Sequence, residues 1–376
     1  MTTQRLTALD GLRGLAILLV LGHNFDPESH GSGLLVRLLT YPLDAGWTGV
    51  QLFFVLSGYL ITCGLMADQS SPHYYRSFFV RRTLRIFPLY FATLFLLLIV
   101  LPHFTALPEA LAHEKRHQIW LWLYLSNWTA PLGLGGEGLP HFWSLAVEEQ
   151  FYLLWPFVIH RRRPIEVFWI SIFVIVASLL ARTGSLLAGL DPKIVYTWTI
   201  YRMDALAVGS LIAAVMAMPD VKARLGDRIG RGAIVAACVG AAMGVLATRG
   251  FPRLTFPTQT VGYTLLALVF GLLVLAAVLA RGTDDAWWLR ALRSRSLRAF
   301  GKYSYAMYVI HKPLHDLVGV PTLQRLVGSG RLGLAASALY IVGATVVTLV
   351  AAVVSYHLLE RHFLTLKERF SVRPAG

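Results

Sequence analysis

An imidazole, a pair of adjacent carboxylates and a fork of arginines are the side chains here best suited to moving a proton and holding a phosphate. Each stands inside or beside an apolar run. His23 closes the run "RGLAILLVLGH" that Arg13 opens. A neutral imidazole near its reference pKa can take a proton from a hydroxyl, which makes His23 the candidate base. Helical rise separates it from Arg13 by about 15 Å along the axis, so each must find partners on other helices. Arg13 taken alone also fits a cytoplasmic anchor. In "HFWSLAVEEQFYLLWPF", Ser144, Glu148 and Tyr152 recur at i, i+4 and share a face that should point into the protein. A carboxylate there can balance an imidazole or an arginine.

Arg81, Arg82 and Arg85 of "RRTLRIFPLY" form a cationic patch at i, i+3 and i, i+4 spacing, and such forks suit phosphates. Arg202 and Asp204 of "TIYRMDALAVGSLIA" lie two residues apart, face nearly opposite ways on a helix and should each pair across helices. His311 and His315 are four apart, which can suggest a metal. With Pro313 between them and no third ligand in register, no metal site is expected. Ser304, Tyr305 and His311 are read instead as polar contacts, and together with Trp143, Ser144, Tyr152, Arg202 and Asp204 they are expected to line the substrate cavity.

The elements that must carry these groups are set by composition. The chain has 376 residues, of which 56% are hydrophobic and 14% charged, with a mean hydropathy of +0.59. Those values are far from the soluble average and indicate an all-α integral membrane protein. A net charge of +14 raises the question of nucleic acid. The Lys and Arg residues cluster in short loops between apolar runs, however, where the positive-inside rule accounts for them and no nucleic-acid partner is expected. Cys63 and Cys238 both lie within apolar runs, so no disulfide framework is expected. In hydrocarbon each charged group costs about 2.5–3.5 kcal/mol on insertion scales, so the polar residues named above need a partner or a task.

Spans of roughly 20 residues can start near Leu12, Gly46, Leu84, Phe142, Ile165, Trp198, Gly232, Thr258, Tyr303 and Leu332. Keeping every basic cluster on the cytoplasmic side requires that "QIWLWLYLSNW", residues 118–128, lie in the interface or re-enter. The expectation is one domain over residues 1–376, a bundle of about ten transmembrane helices with both termini cytoplasmic.

The ordered set "LDGLRGLAILLVLGH", "FFVLSGYLIT", "RRTLRIFPLY", "HFWSLAVEEQFYLLWP", "RMDALAVGSLIA" and "GKYSYAMYVIHKPL" resembles the acyltransferase-3 family of integral-membrane acyltransferases. The resemblance runs from Leu9 to about Leu314, and it is the order and spacing of the six motifs, not any one of them, that is specific. It implies an acyl-CoA-dependent O-acyltransferase of the bacterial cytoplasmic (inner) membrane. The acyl group, acetyl foremost, would pass from cytoplasmic acyl-CoA, a co-substrate and not a bound cofactor, to a hydroxyl of a carbohydrate or glycolipid acceptor. Lipopolysaccharide or another surface glycan leads, and a macrolide sugar competes. Residue by residue, the resemblance makes His23 the expected catalytic residue and Arg13 the basic residue of the same first-helix motif, and with Glu148 they form the expected catalytic set. It ties Arg81, Arg82 and Arg85 to the acyl donor, and places Trp143, Ser144 and Glu148 in the central motif. A transporter or flippase of a glycan-lipid is the reading from another class; it predicts inverted repeats, and the sequence displays none. Oligomeric state is not legible in the sequence.

Overall fold

The computed structural model describes residues 7–26, 40, 42–226, 240, 251–280, 286–327 and 333–368. Among the described residues there is helix and loop and no strand. The long helices are α1 (Thr7–Asn24), α2 (Gly49–Ala67), α3 (Tyr74–Leu94), α4 (Phe142–Ile159), α5 (Pro164–Leu187), α6 (Thr199–Met216), α7 (Tyr263–Leu279), α8 (Arg295–Leu314) and α9 (Leu334–Ser355). Each coincides with one expected span, and the tenth, starting near Gly232, lies outside the described residues.

Among the described residues, six helical stretches are long and apolar enough to cross a membrane: Pro42–Ala67, Tyr74–His103, Pro164–Leu187, Pro192–Met216, Thr258–Leu279 and Leu334–Leu366. They contain α2, α3, α5, α6, α7 and α9. The helices below that mark, α1, α4 and α8, are those whose apolarity is interrupted by Asp10 and Arg13, by Glu148 and Glu149, and by a string of basic residues from Arg295 to Lys312. Lipid-facing positions favour unbroken apolarity and interior positions can hold polar groups if these are partnered. The division is visible in exposure. Leu339, Val346 and Val350 of α9 and Trp169 and Phe173 of α5 present bare side chains outward, whereas Leu12, Ile17 and Leu21 of α1 and Phe142 and Phe151 of α4 are fully buried.

α1 lies against α8 and α2, while α6 packs on α2, α5 and α7. The first crossing is close because Gly301 of α8 has no side chain: a Cβ there would sit 1.8 Å from the Asp10 carbonyl oxygen. At the second, a Cβ on Gly58 of α2 would meet the Leu206 carbonyl oxygen at 1.9 Å. Backbone-to-backbone approach at small residues is how membrane helices gain packing without a hydrophobic drive between them. Gly301→Ala should therefore prise α8 from α1 and lower the unfolding midpoint in detergent, with a cost at or above the usual about 1–3 kcal/mol for overpacking. A midpoint equal to wild type would show that the crossing can relax.

The stretch 118–128 forms two four-residue helices, Ile119–Trp122 and Ser126–Thr129. Between them Tyr124 adopts a left-handed φ of 54°, which no continuous helix tolerates at a bulky residue. The Tyr90 ring stacks on Tyr124 at 4.2 Å, and the Tyr90 hydroxyl donates to the Leu121 carbonyl at 2.8 Å. The loop that follows leads into α4 and is clamped by Glu114, whose carboxylate accepts the backbone N–H groups of Gly136 at 2.7 Å and Gly138 at 3.2 Å. Burial pushes the Glu114 pKa above the usual carboxylate range, and those backbone donors oppose the shift.

Candidate active site

Where α1, α2, α3, α4 and α8 converge they enclose a cavity of about 820 Å³. Five cationic residues line it: Arg13 from α1, Arg81, Arg82 and Arg85 from α3, and Lys302 from α8. Four acidic residues answer them, Asp10, Glu148, Glu149 and Glu360. Such a concentration of charge within a helical membrane bundle marks a functional site by default.

The side chains are fixed by neighbours. Helical periodicity on α4 sets Ser144, Glu148 and Tyr152 one turn apart along the wall. The Arg82 guanidinium lies over the Tyr152 ring at 5.3 Å and over the Phe78 ring at 5.8 Å, a cation–π geometry that holds the charge without neutralising it. Arg81 pairs with Asp68, tying the start of α3 to the residue that follows α2. Glu148 accepts a hydrogen bond from the Ser57 hydroxyl at 2.7 Å. At the far end of the α4 wall, the Ser144 and Tyr308 hydroxyls are 2.6 Å apart. The Tyr305 hydroxyl donates to the Ile86 carbonyl at 2.6 Å, stitching α8 to α3. A π-helical turn, Tyr356–Glu360, brings both Tyr356 and Glu360 to the lining; such turns are frequent at functional sites.

Of the residues singled out in the sequence, Arg13, Arg81, Arg82, Arg85, Ser144, Glu148, Tyr152, Ser304 and Tyr305 line this one cavity. His23, Trp143, Arg202, Asp204 and His311 do not. His23 is half-buried near the other end of α1, with Nδ1 3.1 Å from the Leu43 carbonyl oxygen. Glu148 thus shares the cavity with Arg13 and Arg82, not with His23.

Arg202 is fully buried and boxed by aromatic rings, 4.2 Å from the centroid of Tyr263, 5.2 Å from Tyr196, 5.3 Å from Trp143 and 5.9 Å from Phe54. Its Nη2 donates to Gln51 Oε1 at 2.9 Å. Trp143 is a wall of that box. Asp204 pairs with Arg182 of α5 at 3.0 Å, both side chains having no exposure. His311 is fully buried one turn beyond Tyr308, whose carbonyl oxygen is 2.7 Å from its Nδ1.

Sequence reasoning missed the lining residues Asp10, Ser57, Lys302, Tyr308, Tyr356 and Glu360, and it saw Glu149 only as the neighbour of Glu148. Lys302 and Tyr308 had a signal, because Lys302, Ser304, Tyr305 and Tyr308 crowd into two turns of one helix. Arg182 was also missed, although a lone arginine in the apolar run of α5 calls for a carboxylate on a neighbour.

The model of the acyltransferase-3 family, described as an acyltransferase domain, matches residues 6–357. The chain is similar to O-acetyltransferase OatA of Staphylococcus aureus (strain NCTC 8325 / PS 47), with 29% identity over 338 residues that cover 82% of this chain and 50% of that protein. It is also similar to peptidoglycan O-acetyltransferase OatA of Listeria monocytogenes serovar 1/2a (strain ATCC BAA-679 / EGD-e), with 28% identity over 336 residues that cover 84% of this chain and 50% of that protein. The chain thus spans about half the length of these curated relatives. No solved structure matches it significantly.

Proposed function

Because the chain belongs to the acyltransferase-3 family and is a multi-pass membrane protein, we propose that it is a bacterial cytoplasmic-membrane O-acyltransferase moving acetyl from cytoplasmic acyl-CoA to a hydroxyl of a surface glycan. Peptidoglycan is the first acceptor to try, since the Listeria relative is named for it, and lipopolysaccharide the second. The observation that carries the reading is the single cavity in which Arg81, Arg82, Arg85, Arg13 and Lys302 meet the polar face of α4.

The chemistry follows from charge and size. The donor is a polyanion with a slender thioester arm. Arginines at one end of the cavity hold phosphates through paired N–H donors, and the arm reaches along the α4 wall past Tyr152 and Glu148 toward Ser144. His23 lies outside the cavity lining, toward the other end of α1, so as the base in this reading it requires the acceptor to bring its hydroxyl between His23 and the end of the thioester arm. The hydroxyl gives its proton to His23, its oxygen attacks the thioester carbonyl, and the C–S bond breaks to release the CoA thiolate, which recovers the proton. Ser144, where the arm ends, is the donor that steadies the developing oxyanion in this reading; Arg13 takes that role only if the thioester stops at the arginine end. Glu148 balances the Arg13 and Arg82 charges during that step.

Purified protein in detergent, supplied with radiolabelled acetyl-CoA and a peptidoglycan disaccharide, should transfer label to the sugar. Label left entirely on CoA with every glycan tried would refute the reading. In the same assay His23→Ala should lower turnover by about 10²–10⁴, the usual contribution of a general base, with acetyl-CoA affinity retained. Turnover within a few-fold of wild type would remove His23 from the base role.

A further inference from the structure

Ser144, Glu148 and Tyr152 mark successive turns of α4, and Arg82 stands over Tyr152. Ser144 is therefore about 12 Å along the helix from the arginine end. Its hydroxyl lies 2.6 Å from that of Tyr308, and the carbonyl oxygen of His141 is within reach of each, at 3.1 and 3.0 Å, so their two hydrogens make one bond between the hydroxyls and one to that carbonyl. Behind this latch, away from the arginines, two imidazoles lie with ring centroids 4.9 Å apart: His141 and His311.

Both rings are buried, His141 with 7% exposure and His311 with none. His141 Nε2 faces the Val309 carbonyl oxygen at 3.3 Å, and His311 Nδ1 faces the Tyr308 carbonyl oxygen at 2.7 Å. A ring nitrogen facing a carbonyl oxygen must carry the hydrogen, which fixes both tautomers. The remaining nitrogens, Nδ1 of His141 and Nε2 of His311, present bare lone pairs, and neither has a hydrogen-bond partner. An orphaned buried acceptor forfeits the hydrogen bond it would make in water, and two in adjacent rings call for a ligand. Among the described residues no group of three His, Cys, Asp or Glu could hold a metal ion, so the pair is short of a metal's ligand set. Two lone pairs repel an anion. They fit a molecule that offers two hydroxyl donors.

The pair is closed on another side by Phe25, the first residue past α1 and two beyond His23. Its ring meets His311 edge-on at 6.1 Å and stacks on His315 at 5.3 Å.

We propose that His141 Nδ1 and His311 Nε2 form the binding site for the acceptor's hydroxyls, on the far side of the Ser144–Tyr308 latch from the donor cavity, with Phe25 as its cover. The inference rests on the acyl-transfer reading and deepens it. It assigns the carbohydrate a place apart from the arginines, one that holds two hydroxyls by accepting their hydrogen bonds and undergoes no covalent change.

The test is equilibrium binding of a soluble peptidoglycan disaccharide, and separately of acetyl-CoA, to the full chain in detergent by calorimetry, with no turnover required. His311→Phe keeps the ring volume without the lone pair and should weaken disaccharide binding tenfold or more, while His311→Gln, which offers an amide oxygen, should stay within about threefold. Acetyl-CoA binding should change less than twofold in both. His141→Phe repeats the arm at the other ring should His311→Phe fail to fold. Disaccharide affinity unchanged in a folded Phe variant, or lost in parallel with acetyl-CoA affinity, overturns the site. A wild-type protein that binds the disaccharide with this histidine dependence yet consumes no thioester supports the site and refutes only the acyl-transfer reading.

Discussion

An Arg82→Ala, Arg85→Ala double variant should lose about 10²–10⁴ in affinity for acetyl-CoA. Each guanidinium lines the same cavity, and a hydrogen bond to a charged group is worth about 1.5–3 kcal/mol. Two such losses amount to about 3–6 kcal/mol, which is that range of affinity. A lysine pair at the same positions retains the charge but not the bidentate geometry, so it should fall between wild type and the alanine variant. Raising the salt should weaken wild-type binding more than that of the alanine variant, because part of the screened attraction is removed while Arg13, Arg81 and Lys302 stay. The measurement is the dissociation constant for acetyl-CoA beside that for the disaccharide. A change confined to the disaccharide would mean that the arginine fork does not hold the donor's phosphates.

The largest effect on stability is expected at a pair outside the cavity. Arg182 has no exposure, and it donates to Asp204 at 3.0 Å, to the Thr264 hydroxyl at 2.7 Å and to the carbonyls of Tyr201 and Thr260 at 2.6 and 3.2 Å. Asp204→Ala leaves that guanidinium charged, buried and short of its counterion, a change that costs about 3–5 kcal/mol in comparable buried pairs. Removing both charges, as in Arg182→Met with Asp204→Ala, should recover a large part of the loss, since desolvating two ions consumes much of what their attraction returns. Unfolding of the two variants in mixed micelles decides it. If the double variant is no more stable than Asp204→Ala, the pair does more than cancel its own charges, and the threonine contacts must be counted separately.

Much of the architecture was legible because hydrocarbon imposes strict arithmetic. Each long helix among the described residues coincides with an apolar run visible in the sequence, and residues 118–128 are too short and too interrupted at Tyr124 to continue as one helix. The cavity was legible where several polar residues recur on one helix face, as Ser144, Glu148 and Tyr152 do, or crowd together, as Arg81, Arg82 and Arg85 do. What spacing along a single helix cannot give is the direction in which a lone residue points relative to its neighbours. Arg13 and His23 are ten residues apart, so at 3.6 residues per turn they project about 80° apart around the axis. One reaches the cavity and the other the Leu43 carbonyl. Arg202 shows the same limit. Its type suggested a cavity, but the partners that decide its place, the rings of Tyr263, Tyr196, Trp143 and Phe54, come from four other elements. Arg182 and Asp204 are separated by a helix end and a loop, and only the packing of α5 on α6 makes them one pair.

The contrast between the uniformly apolar helices and α1, α4 and α8 bears on how the chain enters the bilayer as it is synthesised. A segment such as α4, carrying Glu148 and Glu149 near its middle, meets the translocon with a poor partition coefficient of its own. Its retention depends on α2 already standing beside it to offer the Ser57 hydroxyl. The expected consequence is an order-dependent biogenesis, with α2, made earlier, acting as an intramolecular chaperone for α4. Nascent chains stalled after α4 should insert it efficiently only when α2 is intact.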